Sequence, residues 1–144
     1  MLKCFFWLAI TVTTVYAVAH QASTLRTLKQ LEWKNRVLIV LSKQPAVLFK
    51  KLIKDHSIAI NERDLVLFVI DRTSQMVSNY SGGIDASLLG SLESKLPDGN
   101  AAFALIGKDG GLKYYGNQLD IVEVFNEIDR MPMRRWELTE HSNH

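Results

Sequence analysis

Cysteine is the scarcest of the side chains through which this sequence could do chemistry. The 144-residue chain has one, Cys4, so it holds neither a Cys-x-x-Cys pair for disulfide exchange nor a cysteine-rich zinc site. Cys4 also lies in an N-terminal segment that we expect to be removed. The sequence therefore predicts a mature chain with no thiol chemistry and no disulfide.

The four histidines are the other candidate metal ligands. His20 would become the mature N-terminus, where its amine and imidazole can chelate copper, but a working site needs a second histidine from the folded domain. His56 is expected on the exposed side of a helix, and His141 and His144 lie near the C-terminus. Ligands on chain ends are rarely held in a fixed geometry, so we predict no metal site and no cofactor.

The patterns of the common hydrolases and phosphate-binding loops are missing. The sequence has no G-x-S-x-G string for a serine nucleophile, and residues 107–111 (GKDGG) lack the spacing of a phosphate-binding loop. Asp-Gly between two short apolar runs instead predicts a hairpin turn. We therefore favour a non-catalytic binding or interaction module of unknown ligand. The alternatives are an oxidoreductase-related or metal-dependent extracytoplasmic enzyme and a purely structural component of the envelope or matrix.

The string 131–136 (MPMRRW) allows two interpretations. As a helix end, Pro132 stops the helix and the arginines lie at its negative pole. As an interaction site, Arg134, Arg135 and Trp136 present residue types that are enriched in binding hot spots. The partner would be another extracytoplasmic protein.

The first nineteen residues have the layout of a secretory signal. One lysine precedes an apolar stretch, and Ala17 and Ala19 stand where a signal peptidase reads. The stretch is shorter than the ~20 residues that cross a bilayer. We expect residues 1–19 to be cleaved, leaving an exported chain, periplasmic or secreted, without a stable membrane span.

Composition limits the remaining possibilities. Hydrophobic residues make up 47% of the chain, which excludes a disordered protein. Seventeen Lys and Arg against fifteen Asp and Glu give a net charge of +2, which argues against nucleic acid as a partner. We expect one domain over residues 20–137 and a polar tail over 138–144.

Hydrophobic periodicity predicts alternating strands and helices. Residues 36–42 and 64–71 are continuous apolar runs, typical of strands buried on both faces. The pattern also predicts helices over 24–33, 46–60 and 85–96, a loop over 74–83, strands over 101–106 and 112–115, and a last helix capped by Asn117 with Ile121, Phe125 and Ile128 on its buried side.

This order implies parallel strands joined by helical crossovers, closed by an antiparallel hairpin and a helix. The expected fold is α/β and thioredoxin-like, with a mixed central sheet, a C-terminal β-hairpin and helices on both faces. In such a fold the redox cysteines would follow the first strand, where this chain has SKQP (42–45).

Four strings together resemble a known family: residues 31–36 (LEWKNR), 62–66 (ERDLV), 105–113 (LIGKDGGLK) and 128–135 (IDRMPMRR) followed by Glu137. The set resembles the thioredoxin-like domain of unknown function 4174 family. Its members include small exported bacterial proteins, and related domains occur in extracellular sushi-repeat and coiled-coil matrix proteins. The resemblance implies fold and compartment, but no catalytic residue, because the family has no established reaction.

Overall fold

The computed structural model describes residues 24–97 and 101–141. In this part of the chain a five-stranded sheet is flanked by helices. Two 3-10 turns, Leu28–Leu31 and Ala46–Leu48, precede the first strand and the first helix. The strands are β1 (Arg36–Ser42), β2 (Leu65–Asp71), β3 (Met76–Ser78), β4 (Phe103–Ile106) and β5 (Leu112–Gly116), and the helices are α1 (Phe49–Asp55), α2 (Ser57–Glu62), α3 (Leu88–Glu93), α4 (Ile121–Arg130) and α5 (Pro132–His141).

The sheet is mixed, in the order β3-β2-β1-β4-β5. β1 and β2 are parallel, in a register that aligns Arg36 with Leu65 and Ser42 with Asp71. β4 runs antiparallel to β1, and β5 antiparallel to β4. The predicted α/β class, with a parallel pair and a closing hairpin, is confirmed.

The central strands are buried on both faces because apolar residues occupy successive positions along them. Leu38 and Val40 of β1 point toward one layer, which contains α4 and Ile60 of α2. Val37 and Ile39 point to the other layer, which contains α3 and the first 3-10 turn. The predicted helices on both faces are therefore confirmed.

The hairpin turn between β4 and β5 forms where Asp-Gly predicted it. The backbone N–H of Gly107 donates to the carbonyl of Gly111 at 2.9 Å. Gly110 has φ +75°, a conformation that glycine adopts without the steric penalty of a side chain. The turn places Lys108 at the end of the sheet where β1 begins.

Three predicted elements differ from the structure in the middle of the chain. The helix predicted over 46–60 is a 3-10 turn and two helices, separated at His56. The loop predicted over 74–83 contains the edge strand β3, which is too short to show periodicity. The helix predicted over 85–96 is limited to α3, whose buried residues are Leu88 and Leu92.

Two predictions nearer the ends of the described chain are also wrong: the helix over 24–33 and the cap of the last helix at Asn117. In place of a helix over 24–33 there is one 3-10 turn, and Leu25 forms a β-bridge with Ile84. α4 is capped by Asp120, not Asn117, and its carboxylate accepts hydrogen bonds from Val122 and Glu123. The predicted buried stripe of α4 is confirmed.

The prediction that Pro132 ends the helical structure is wrong. α4 does end at Arg130, but Pro132 begins α5, which runs to His141 and thus through the first part of the predicted tail. Proline is well tolerated in the first turn of a helix, where its missing N–H would have no intrahelical partner. The extended backbone at Met131 separates the two helices.

Candidate functional site

One candidate site lies at the carboxyl ends of the parallel strands, where ligands commonly bind in α/β sheets. β1 ends at Ser42 beside Asp71, the last residue of β2. The Ser42 hydroxyl accepts a hydrogen bond from the N–H of Gln44 at 3.0 Å. Pro45 then leads into the turn that precedes α1. Residues 42–45, where the redox cysteines of a thioredoxin-like fold would lie, therefore form a turn that the hydrogen bond between Ser42 and Gln44 closes.

Asp71 holds this end of the sheet together. One carboxylate oxygen accepts from the N–H of Ala46 at 3.0 Å. The other accepts from the hydroxyl and N–H of Thr73, at 2.6 and 2.8 Å, and from the N–H of Gln75 at 3.1 Å. The Thr73 hydroxyl first, and then these backbone donors, lower the pKa of Asp71 to about 2. The carboxylate is therefore ionised at neutral pH and is unsuited to general acid catalysis.

An open cleft of about 460 Å³ lies over these turns. Its charged lining has both signs, with Lys43 and Arg72 as cations and Asp71 and Glu93 as anions. Ser42 and Ser74 add hydroxyls. The cleft can accept a small polar molecule.

A second cluster lies at the opposite end of the sheet, where β1 begins. Arg36 is only 1% exposed, and its guanidinium makes a two-pronged contact with Glu137 of α5, with Nη1 and Nη2 each 3.2 Å from a carboxylate oxygen. Nη1 also donates to the carbonyl of Arg63 at 3.0 Å. Lys108 bridges Glu137 and Asp64, with its Nζ 2.8 Å from each carboxylate. One carboxylate of α5 thus joins the start of β1 to the hairpin turn.

The cluster continues along the inner side of α4. Arg134 lies 3.5 Å from both Asp129 and Glu137. Asp129 in turn accepts from Nη2 of Arg63 at 2.5 Å, and the Arg63 guanidinium lies 4.9 Å from the centre of the Phe125 ring. We call this set the ion-pair cluster: Arg36, Arg63, Asp64, Lys108, Asp129, Arg134 and Glu137.

The electrostatics of the ion-pair cluster favour an ionised Glu137. Burial by itself raises the pKa of Glu137, but hydrogen bonds from Lys108 and Arg36, together with their positive charges, outweigh burial and lower that pKa. The cluster holds four basic and three acidic residues. Four buried atoms in it have no hydrogen-bond partner: Nε of Arg36, Nε of Arg63, Nε of Arg134 and Oδ1 of Asp129.

The structure separates the three residues of the predicted interaction site. Arg134 is 8% exposed and belongs to the ion-pair cluster, so its predicted place in an exposed interaction site is corrected. Arg135 is exposed, and Trp136 is 64% exposed. The helical periodicity of α5 explains the separation, because consecutive residues point about 100° apart.

Of the four histidines, His56 is the one whose side chain the structure describes. His56 is half-buried and packs edge-to-face against Phe125 at 5.9 Å between ring centres. His20 and His144 lie outside the described residues. No group of three or more His, Cys, Asp or Glu that could hold a metal ion occurs in residues 24–97 and 101–141. In the same part of the chain, no helix has the length and apolar character to cross a membrane.

Sequence analysis missed Arg36, Lys108 and Glu137 as a group. A signal was present, since an arginine that begins a strand whose next five residues are all apolar needs a buried partner for its charge. The partner, however, is 101 positions away, and no local pattern identifies it.

The fold and these contacts define a mixed α/β domain whose last helix is bound by buried ion pairs. A family model described as Domain of unknown function (DUF4174) matches residues 27–137. The chain belongs to that family, as its four strings suggested. No curated protein and no solved structure matches the chain.

Proposed function

We propose that this chain is an exported, non-catalytic binding domain of thioredoxin-like arrangement, and that it recognises another extracytoplasmic protein through the outer face of α5. That face comprises Arg135 and Trp136 with their exposed neighbour Leu138. The observation that carries the proposal is an exposed tryptophan and arginine on a helix whose inner side is tied to the sheet.

The thioredoxin-like part of the proposal is supported by topology. The first two long strands are parallel neighbours, and the hairpin is added antiparallel to the first of them. In such an arrangement a redox thiolate would follow β1, stabilised by the N–H groups at the start of the next helix. Here Asp71 accepts from one of those groups, that of Ala46. A carboxylate at this position supports the proposal that the turn has a structural role instead of a redox role.

The binding surface is supported by burial and residue type. Tryptophan and arginine dominate binding hot spots because they combine a large contact area with directed hydrogen bonds. Trp136 is 64% exposed although its neighbours Arg134 and Glu137 are held in the ion-pair cluster. A rigid helix presents such residues without a large loss of conformational entropy on binding.

The export part of the proposal rests on residues 1–19, which lie outside the described residues. Their single lysine, apolar stretch and small residues before His20 are typical of a cleaved secretory signal.

Paired variants test the binding surface. In the mature protein, Arg135 and Trp136 are replaced by Ala together, and Ile58→Ala is the control because Ile58 is 75% exposed on α2. Partners are recovered by photo-crosslinking in the extracytoplasmic fraction, and thermal stability is measured in parallel. We expect the double variant to lose its crosslinked partner at near-native stability, while the control keeps it. Retention of the partner by the double variant would contradict the proposal.

A further inference from the structure

We propose that the cavity between the β4–β5 turn and the junction of α4 and α5 binds a carboxylate that bears an apolar group. The inference does not depend on the outer face of α5, because a different set of residues lines this cavity. It has a volume of about 290 Å³.

The charged side of the cavity has an excess of cations. Arg36, Lys108 and Lys113 line it, with Asp109 as the one carboxylate in the lining. Lys113 contacts Asp109 at 2.6 Å. Outside the lining, Arg36 and Lys108 both contact Glu137, and Lys108 also contacts Asp64. The lining itself has three cations and one carboxylate, which favours an anionic ligand at its surface.

Arg36 provides the second observation. It is only 1% exposed, yet its Nε has no hydrogen-bond partner. A buried guanidinium N–H normally has an acceptor, because leaving it unpaired costs the desolvation energy of a charged group. A ligand carboxylate in the cavity would supply that acceptor.

The other side of the cavity is apolar and restricts the class of anion. Met131, Pro132 and Met133 form it, and methionine side chains adapt to ligands of varied shape. A highly charged phosphate would lose hydration against these residues without compensation. A single carboxylate joined to an aliphatic group matches both sides. Such a group occurs in a free fatty acid and at the C-terminus of a peptide that ends in an apolar residue.

The test measures the binding of octanoate, and of octanamide as its neutral analogue, to the ¹⁵N-labelled mature protein. Binding is detected as changes in the amide NMR chemical shifts. We expect octanoate to give saturable shifts in residues 107–113 and around Met131 and Met133. Octanamide should give none of comparable size. Equal shifts from both compounds, shifts elsewhere, or no saturation would overturn the proposal.

Three variants make the test specific. Lys113→Met should weaken octanoate binding about fivefold, as expected for one partly exposed charge. Asp109→Asn should strengthen it, because a repulsive carboxylate is removed. Lys51→Met is the matched control, since Lys51 forms a similar exposed pair with Asp55 at 2.5 Å but lies on α1. Changes of the same sign at residues 109 and 113 would contradict the proposal, because a loss of local structure acts alike in both variants.

An acetylated dipeptide ending in leucine, with its amide as control, separates the two sources of the carboxylate. Tighter binding of the peptide than of octanoate assigns the cavity to peptide C-termini, and the reverse order assigns it to fatty acids. Failure of both acids to bind would overturn the proposal, whatever the outcome of the partner experiment on Trp136.

Discussion

At the scale of single residues, Asp71 shows how one side chain can organise a strand end. Its two oxygens accept from four donors in two loops that are distant in sequence. Backbone N–H groups that lose an acceptor without gaining water destabilise the folded state. We infer that Asp71 is needed for the geometry of the turns after β1 and β2.

Replacing Asp71 by Ala is expected to lower the melting temperature by several degrees at pH 7. The matched control is Asp55→Ala, because Asp55 is exposed and accepts from Lys51 within its own helix. Calorimetry of both variants checks the prediction, and equal melting temperatures would contradict it.

The stabilisation from Asp71 should also depend on pH. Its pKa is lowered from 3.8 to about 2 on folding, so its contribution is complete above pH 4 and is lost as the pH falls toward about 2. The stability difference between the wild type and Asp71→Ala should therefore shrink across this range. A difference that stays constant from pH 5 to pH 2 would show that the ionised form is not what stabilises the turns.

At the scale of elements, α5 differs from the other helices in how it is attached. From residue 132 to residue 140, Arg134 is the one buried residue, and Glu137 is half-buried. α4, by contrast, buries Ile121, Val124, Phe125 and Ile128. α5 is therefore held mainly by ion pairs, whose strength depends on the charge state of each partner.

Removal of Glu137 should release α5. Glu137→Ala leaves the buried charge of Arg36 without its carboxylate, which is expected to lower the free energy of unfolding by about 3 kcal/mol. Amide exchange in residues 132–141 should become faster as the helix detaches. Glu140→Ala is the control, since Glu140 is exposed on the same helix. Unchanged exchange in Glu137→Ala would mean that other contacts hold α5.

Lowering the pH should weaken the attachment of α5 as the Glu137→Ala substitution does. The pKa of Glu137 is lowered on folding by Lys108 and Arg36, against the opposing effect of burial. Its stabilisation is therefore complete above its ordinary pKa of 4.5 and is lost as the pH falls through the lowered value. The urea unfolding free energies of wild type and Glu137→Gln should differ most near neutral pH, and the difference should shrink as the pH falls below 4.5. Curves that stay equally far apart at all pH values would contradict this assignment.

At the scale of the whole molecule, the absence of cysteine after residue 4 limits the chemistry of any form of the chain that lacks residues 1–19. A thiolate is the nucleophile of disulfide exchange and of peroxide reduction by thiol peroxidases. Protein that lacks residues 1–19 should therefore neither reduce insulin nor turn over peroxide with thiol donors. Measurable thiol-dependent turnover by that protein would contradict the prediction.

The compartment of the molecule can be checked by mass. We expect the exported chain to begin at His20, because Ala17 and Ala19 mark the cleavage site. Intact-mass measurement of the extracytoplasmic fraction decides this. A product that retains Met1 in the membrane fraction would show an uncleaved anchor instead.

The elements that the sequence predicted well are those in which local pattern and burial agree. β1 has the predicted bounds, and β2 begins one residue later than predicted. Both were predicted well because a continuous run of Val, Ile and Leu is typical of a strand that is buried on both faces. The stripe of α4 and the Asp-Gly turn were equally clear. The short β3 and the break at His56 were missed because neither extends over enough residues to produce a period.

The sequence by itself determined the α/β class, the parallel pair with its closing hairpin, and the lack of cysteine beyond Cys4. Only the tertiary structure showed which residues of the last helix, α5, are bound by ion pairs and which are exposed. Arg134 and Trp136 look alike as candidates in the sequence, yet one is bound to Glu137 and the other is exposed. The physical reason is that a buried charge needs a partner close in space, and Arg36 finds Glu137 across 101 positions of chain.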